Sequence, residues 1–194
     1  KDFDQSEVIL VCGPERSGKT VLSKKLENFL PPSLGGLPTT VIADPLAGDL
    51  TSIFKSGVDS NITSLFRKRQ DVNINSGRLI IDYEGSMEVL SSVLLKLEGL
   101  EPRPNVSVVY ALEVGKSYAA VKNLLEKVQI PNLYIALTKM DLLEVSVNEL
   151  SAISDFNKKI LFFSGLKAVG DGLDFAKVSV MESFLTNLAK QEGW

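Results

Sequence analysis

The chain has 194 residues, 44% of them hydrophobic and 23% charged, with a formal net charge of −3. That length suits one domain with a full apolar core, and the mildly acidic balance excludes a broad basic face, so nucleic acid is not an expected partner. Histidine is absent, which removes histidine-based catalysis, histidine metal sites and histidine pH switching, while the single cysteine, Cys12, cannot form an internal disulfide and suits a reducing compartment. No apolar run approaches bilayer length, and the C-terminal residues 191–194 lack a prenylation cysteine, so a membrane is expected only through a segment before Lys1 or through a partner.

Residues 1–6 read as a polar, frayed lead-in, and an apolar strand follows over 7–12. The next stretch is Gly13-Pro14-Glu15-Arg16-Ser17-Gly18-Lys19-Thr20, which fits G-x-x-x-x-G-K-[ST] between a strand and a helix. Glycines let the backbone curl so that N–H groups converge on phosphate oxygens, and the following helix adds its positive end. Lys19 is placed to meet the β- and γ-phosphates, and Thr20 to offer a hydroxyl to Mg2+. The helix carries Val21, Leu22, Leu26, Phe29 and Leu30 at helical spacing and stops before Pro31-Pro32.

A short β-branched strand is predicted at 39–43, ending at Asp44-Pro45. Residues 45–77 are the least regular, with a weakly amphipathic stretch and the basic cluster Arg67-Lys68-Arg69, and read as a surface insertion with some helix. The apolar strand 78–82 ends on a carboxylate, Asp82, and Gly85 follows three residues later. Helices are expected over 86–97, 117–128, 146–153 and 173–190, and strands at 106–111, 133–137 and 160–163. Alternating strands and helices, with strands that are continuously apolar, imply one α/β domain over 1–194. Its core is a mainly parallel six-stranded sheet with helices on both faces, interrupted by a roughly twenty-residue insertion between strands 2 and 3. Ligands of such sheets lie at the carboxyl ends of the strands, where every polar motif in this chain falls.

Asp82 is placed to hold a magnesium shell next to the Thr20 hydroxyl, and Gly85 to offer a backbone N–H to a γ-phosphate. Downstream, Thr138-Lys139-Met140-Asp141 resembles the [NT]-K-x-D guanine motif of Ras-like GTPases. Its carboxylate accepts from the N1–H and the exocyclic amine of guanine, a donor pair that adenine lacks. Ser164-Gly165-Leu166-Lys167 resembles a degenerate S-A-K loop, in which Ser164 or Gly165 takes the serine position. With four motifs in order, the chain resembles an atypical small GTPase of the Ras/Arf/Rab superfamily, within the P-loop NTPases. Two branches share features with it. The Ser17-Gly18-Lys19-Thr20 end of the loop and the C-terminal helix are similar to the β subunit of the signal-recognition-particle receptor, and Gly13-Pro14 with Ser17 to Leu22 to the Rab-like intraflagellar-transport subunit.

The resemblance implies GTP or GDP with Mg2+ as ligands, a protein effector or complex subunit as partner, and a cytoplasmic location that reaches a membrane or cilium through partners. It also implies metal contacts from Thr20, Asp82 and a switch threonine, for which Thr39 is the best match and Thr40 the adjacent candidate. The typical hairpin between strands 2 and 3 is shorter by about the length assigned to the insertion. Ser86 stands where most members carry the glutamine that orients water, so intrinsic hydrolysis is expected to be slow or absent. Glu15 and Arg16 occupy positions that are small in many members, and two outcomes stay open: Glu15 repels a terminal phosphate or obstructs an arginine finger, or Arg16 offsets its charge. Thr138 in place of asparagine removes an amide that ties the loops together. The alternatives are a pseudo-GTPase serving as an interaction module, and a P-loop kinase or ATPase, which leaves Thr138 to Asp141 unexplained.

Overall fold

The computed structural model describes residues 3–32, 39–43, 78–98, 105–128, 130, 133–166 and 172–191. The 45–77 insertion, its basic cluster and Lys167 lie outside the described residues.

The chain order is β1 (Val8–Cys12), α1 (Lys19–Phe29), β2 (Thr39–Ala43), β3 (Arg78–Asp82), α2 (Met87–Glu98), β4 (Val106–Glu113), α3 (Tyr118–Glu126), β5 (Leu133–Thr138), α4 (Val147–Asp155), β6 (Lys159–Ser164), β7 (Leu173–Phe175) and α5 (Val178–Gln191). They form one sheet in the order β2-β3-β1-β4-β5-β6-β7. The sheet is mainly parallel, as expected: the first six strands in that order run parallel, and β7 adds a short antiparallel edge paired Ser164↔Leu173 and Phe162↔Phe175. Residues 173–175, expected to begin the last helix, instead pair with β6, and the helix starts at Val178.

Every residue of β1 and β3 is buried, which requires cover on both faces. On one face Val8, Leu10, Leu79, Ile81 and Ile135 pack with Leu90 of α2, Val121 and Leu125 of α3, and Ala152 and Ile153 of α4. On the other, Ile9, Val11, Ile80 and Ala136 meet Leu22 and Leu26 of α1. An aromatic group closes that second face: Phe162 stacks on Phe175 at 5.0 Å between centroids and meets Phe3 edge-on at 5.3 Å. Phe3 is therefore anchored, contrary to the expected frayed lead-in. Phe3–Gln5 forms a 3-10 turn, and Ser6 is buried against Ser107, with 2.6 Å between the hydroxyls. Buried Arg78 holds the lead-in down, donating to the carbonyls of Asp4 (2.6 Å), Ser6 (3.1 Å) and Pro31 (2.8 Å).

The pairing of β2 with β3 departs from the expected hairpin. The two are parallel in the register Thr39↔Arg78 to Ala43↔Asp82. Parallel neighbours need a crossover of a dozen or more residues, so part of the 44–77 connection is required by this topology. With β1 between β3 and β4, the chain leaves β1 toward one edge and leaves β3 toward the other. That reversal opens a crevice at the carboxyl end of β1.

Candidate functional site

Three strand ends meet at that crevice. Gly13 follows β1 with φ 143°, and a Cβ there would come within 2.6 Å of the Ala111 carbonyl oxygen on β4, so only glycine lets the loop lie this close to the sheet. The loop turns through Pro14 to Ser17, with Ser17 N donating to Pro14 O at 3.3 Å. Glu15 and Arg16 are exposed at its tip, and Arg16 is held in the left-handed region at φ 61°. Gly18 caps α1 with φ 88°, and Lys19 opens the helix. The Lys19 ammonium donates to Gly13 O at 3.1 Å and to Pro14 O at 3.0 Å, so it arches back over the loop that it would share with a phosphate chain.

At the end of β3, Asp82 is 4% exposed, and its Oδ2 accepts from Thr20 Oγ1 at 2.6 Å. Its Oδ1 is buried without a hydrogen-bond partner among the described residues, as is Ser17 Oγ. A buried carboxylate oxygen left unpaired is costly, and a hard cation with its water shell would satisfy it. Thr20 and Asp82 are both oxygen donors of the kind Mg2+ takes, so the residues present fit that ion. Gly85 lies just beyond, half-buried over the Tyr83 ring. Ser86 is engaged locally: its Oγ accepts from Val89 N at 3.4 Å at the start of α2. The Glu88 carboxyl is held below its usual range by its own backbone N–H first and by the Ser86 hydroxyl second.

Thr39 does not join this group. The register puts it beside Arg78 at the amino end of the sheet, while Asp82 stands beside Ala43 at the carboxyl end. Four residues of strand separate them by about 13 Å, against the ~2 Å of a magnesium contact. The magnesium role expected for Thr39 is therefore excluded by strand direction, and Thr40, one step along β2, is also short of the site.

The end of β5 supplies the third part. Thr138 is buried, and its hydroxyl donates to Ser17 O at 2.6 Å while its Cβ faces Gly18. The expectation that threonine here loses a tie between loops is corrected: the hydroxyl makes that tie itself. Lys139 is left-handed at φ 59°, and Met140 N donates to Ser164 O at 3.2 Å, joining this loop to the end of β6. Gly165 (φ 99°) then runs so close that an added Cβ would lie 2.5 Å from Asp141 Oδ1 and 2.8 Å from Met140 N. Its own N–H donates to Gly172 O at 2.5 Å, and Leu166 N to the same oxygen at 3.3 Å. Lys25 of α1 donates to that carbonyl at 3.3 Å. Asp141 is exposed at the mouth of this arrangement.

Two carboxylates behind the loops lie outside the motifs. Glu113 ends β4 in register with Thr138; Lys139 donates to its Oε1, and Lys116 to its Oε2 at 3.0 Å. The hydrogen bonds from Lys139 first and Lys116 second hold its carboxyl below the ordinary glutamate range. Glu149, 2% exposed, accepts from Gly115 N (3.1 Å), Lys116 N (2.8 Å) and Ser146 N (3.0 Å), so the helix cap of α4 also fixes the β4–α3 loop. The S-x-x-E spacing of Ser146 and Glu149 was a readable signal of that cap. Glu113 offered only its place at a strand end.

No family model matches the chain, and neither does any curated protein sequence. Solved structures do share its fold. FtsY from Mycoplasma mycoides matches with a TM-score of 0.63 at 18% identity, over 97% of this chain and 69% of that one. The signal recognition particle receptor FtsY from Elizabethkingia anophelis, in complex with GDP, matches at 0.56 and 19% over 95% and 65%. FlhF complexed with GMPPNP and Mg2+ matches at 0.56 and 13% over 95% and 74%. The chain thus spans about two thirds to three quarters of those chains and has a P-loop NTPase fold in common with them.

Proposed function

We propose that this chain binds a guanine nucleotide with Mg2+ and serves as a nucleotide-dependent switch or scaffold for a protein partner, hydrolysing GTP slowly or not at all. The observation that carries the reading is the convergence of the phosphate loop, the half-satisfied Asp82 and the Asp141 loop at the ends of β1, β3 and β5. The likeness in fold to a GDP-bound FtsY and a GMPPNP-bound FlhF supports the nucleotide class, whereas a finer kinship with Ras, Arf or Rab proteins, or with the receptor β subunit, gains no support from those neighbours.

In this reading the loop N–H groups from Glu15 to Thr20 bind the phosphate chain, and Lys19 exchanges its two carbonyl partners for phosphate oxygens. Thr20 turns its oxygen lone pair outward, and Asp82 accepts hydrogen bonds through its unpaired Oδ1. Bound Mg2+ supplies charge neutralisation on the β- and γ-oxygens. Asp141 accepts from the guanine N1–H and amine, with the Lys139 stem along the base and the backbone of Gly165 and Leu166 beside it. Slow hydrolysis follows from Ser86, whose hydroxyl is committed to the start of α2, and from the negative charge of Glu15 at the loop tip. The same two residues favour a second reading, an interaction module without a nucleotide cycle.

The test is titration of a fluorescent GDP into the purified chain with Mg2+, followed by single-turnover GTP hydrolysis. Sub-micromolar to low-micromolar binding, abolished by Lys19→Ala and shifted toward xanthosine diphosphate by Asp141→Asn, is the expected result. If the wild-type chain binds no guanine nucleotide below high micromolar concentration, the switch reading is lost and the interaction module remains. Binding with unchanged base preference in Asp141→Asn would remove the guanine assignment.

A further inference from the structure

We infer that Glu113 is a specificity-determining positioning residue, which captures the Lys139 ammonium and thereby keeps the Asp141 carboxylate open to the base. The inference rests on the guanine-site reading above and extends it to a residue outside the nucleotide motifs.

Lys139 and Asp141 lie two residues apart in one loop, opposite in charge, at the mouth of the site. A flexible ammonium this near a carboxylate is drawn to it, and a carboxylate so paired is a weaker acceptor for a ligand's N–H groups. In the structure the ammonium goes elsewhere: it donates to Glu113 Oε1, and no ion pair to Asp141 occurs among the described residues. The left-handed backbone at Lys139 (φ 59°) carries a steric cost for a side chain with a Cβ. Such a cost persists where the surroundings impose it, and here the Glu113 contact fixes the far end of the same side chain.

Glu113 is itself held in place. It closes β4 opposite Thr138, so its backbone is fixed by the sheet one residue from Lys139 in register. Its second oxygen is taken by Lys116 at 3.0 Å. The backbone N–H of Lys116 is in turn held at 2.8 Å by the buried Glu149. The carboxylate therefore cannot swing away without releasing both lysines. Pinned at its tip, the four-carbon stem of Lys139 is left to lie along the base while its charge is engaged by Glu113.

The test compares GDP with inosine diphosphate, which lacks the exocyclic amine that Asp141 accepts, in wild type, Glu113→Gln, and Glu113→Gln combined with Lys139→Met. Methionine keeps an unbranched stem and removes the ammonium. Wild type should prefer GDP by about tenfold or more, the scale of a hydrogen bond to a charged group. Glu113→Gln should lower that preference to about twofold, because the freed lysine pairs with Asp141, and the double variant should recover most of it. Tripolyphosphate affinity, read by competition, should be the same in all three. A merely structural role for Glu113 predicts equal losses for both nucleotides and no recovery in the double variant, and either result overturns the inference. An unchanged GDP preference in Glu113→Gln overturns it while leaving the guanine-site reading intact. Absence of any guanine-nucleotide binding by wild type overturns both.

Discussion

Replacing Thr138 by valine removes one hydroxyl at the point where the 13–20 loop and the 138–141 loop touch. That hydroxyl donates to Ser17 O at 2.6 Å and is buried from water. A net hydrogen bond contributes about 1 kcal/mol, and stranding the buried carbonyl adds to the loss, for a total of about 2 kcal/mol. The valine methyl that takes the place of the hydroxyl cannot stay at 2.6 Å from an oxygen, because carbon–oxygen contacts close only to about 3.3 Å, so the loops must also part slightly. For a domain of this size the expected fall in melting temperature is about 4–8 °C. Thr138→Ser keeps the donor and loses one methyl group, which limits its cost to about 1 kcal/mol. Thermal unfolding of the three proteins at one pH and ionic strength reads the difference. A valine variant that melts within about 1 °C of wild type, or a serine variant that falls as far as valine, would show that the hydroxyl is not what joins the loops.

Other consequences follow from single positions. Arg16→Gly relieves a left-handed side-chain residue on an exposed turn and should raise stability by up to about 1 kcal/mol in urea titration; a decrease would contradict the strain assigned to φ 61°. Gly165→Ala places a Cβ 2.5 Å from Asp141 Oδ1 in a backbone region hostile to L-residues, and should cost about 2 kcal/mol or more along with guanine-nucleotide affinity; a variant as stable as wild type refutes the close approach. Arg78→Met strips donors from three carbonyls and should cost about 3 kcal/mol, with amide exchange of residues 3–6 rising first; unchanged protection there would mean that the lead-in is held by Phe3 alone. Burial pushes the Cys12 thiol up to about 12, against a weaker downward pull from Lys19. An unfolded thiol ionises near pH ~8.5. From that pH up to about 12 the unfolded state has lost a proton that the folded state keeps, so stability should fall with rising pH. Cys12→Ala should show a shallower decline, and an equal slope in both chains would remove this cause.

Local signals in the residues already placed much of the candidate site. The spacing of Gly13, Gly18, Lys19 and Thr20 between an apolar strand and an amphipathic helix is a statement about neighbours in sequence, and the loop follows it. The places of Asp82, Thr138 and Asp141 were legible because each closes or follows an apolar run, and parallel strands bring such ends to one side of the sheet. Continuous hydrophobicity also announced a sheet covered on both faces. It could not state in which direction one strand lies against the next, because a fully buried strand shows no alternation that distinguishes a hairpin from a crossover.

That ambiguity is why Thr39 looked like a metal ligand: only the parallel pairing of β2 with β3 sends it to the far end of the sheet. Residues 173–175 fit the apolar spacing of a helix, and the open edge of β6 together with the Phe162 ring made them a strand. Arg78 had no signature and Glu113 only its place at a strand end, since Lys139, the partner that ties Glu113 to the next loop, is 26 residues away and the carbonyls that Arg78 holds are 47 to 74 residues away. Sequence alone determined the chemistry offered at each strand end, which depends on adjacent residues. Tertiary structure decided which of those ends share one crevice, because that depends on strand direction and on contacts between residues remote in the chain.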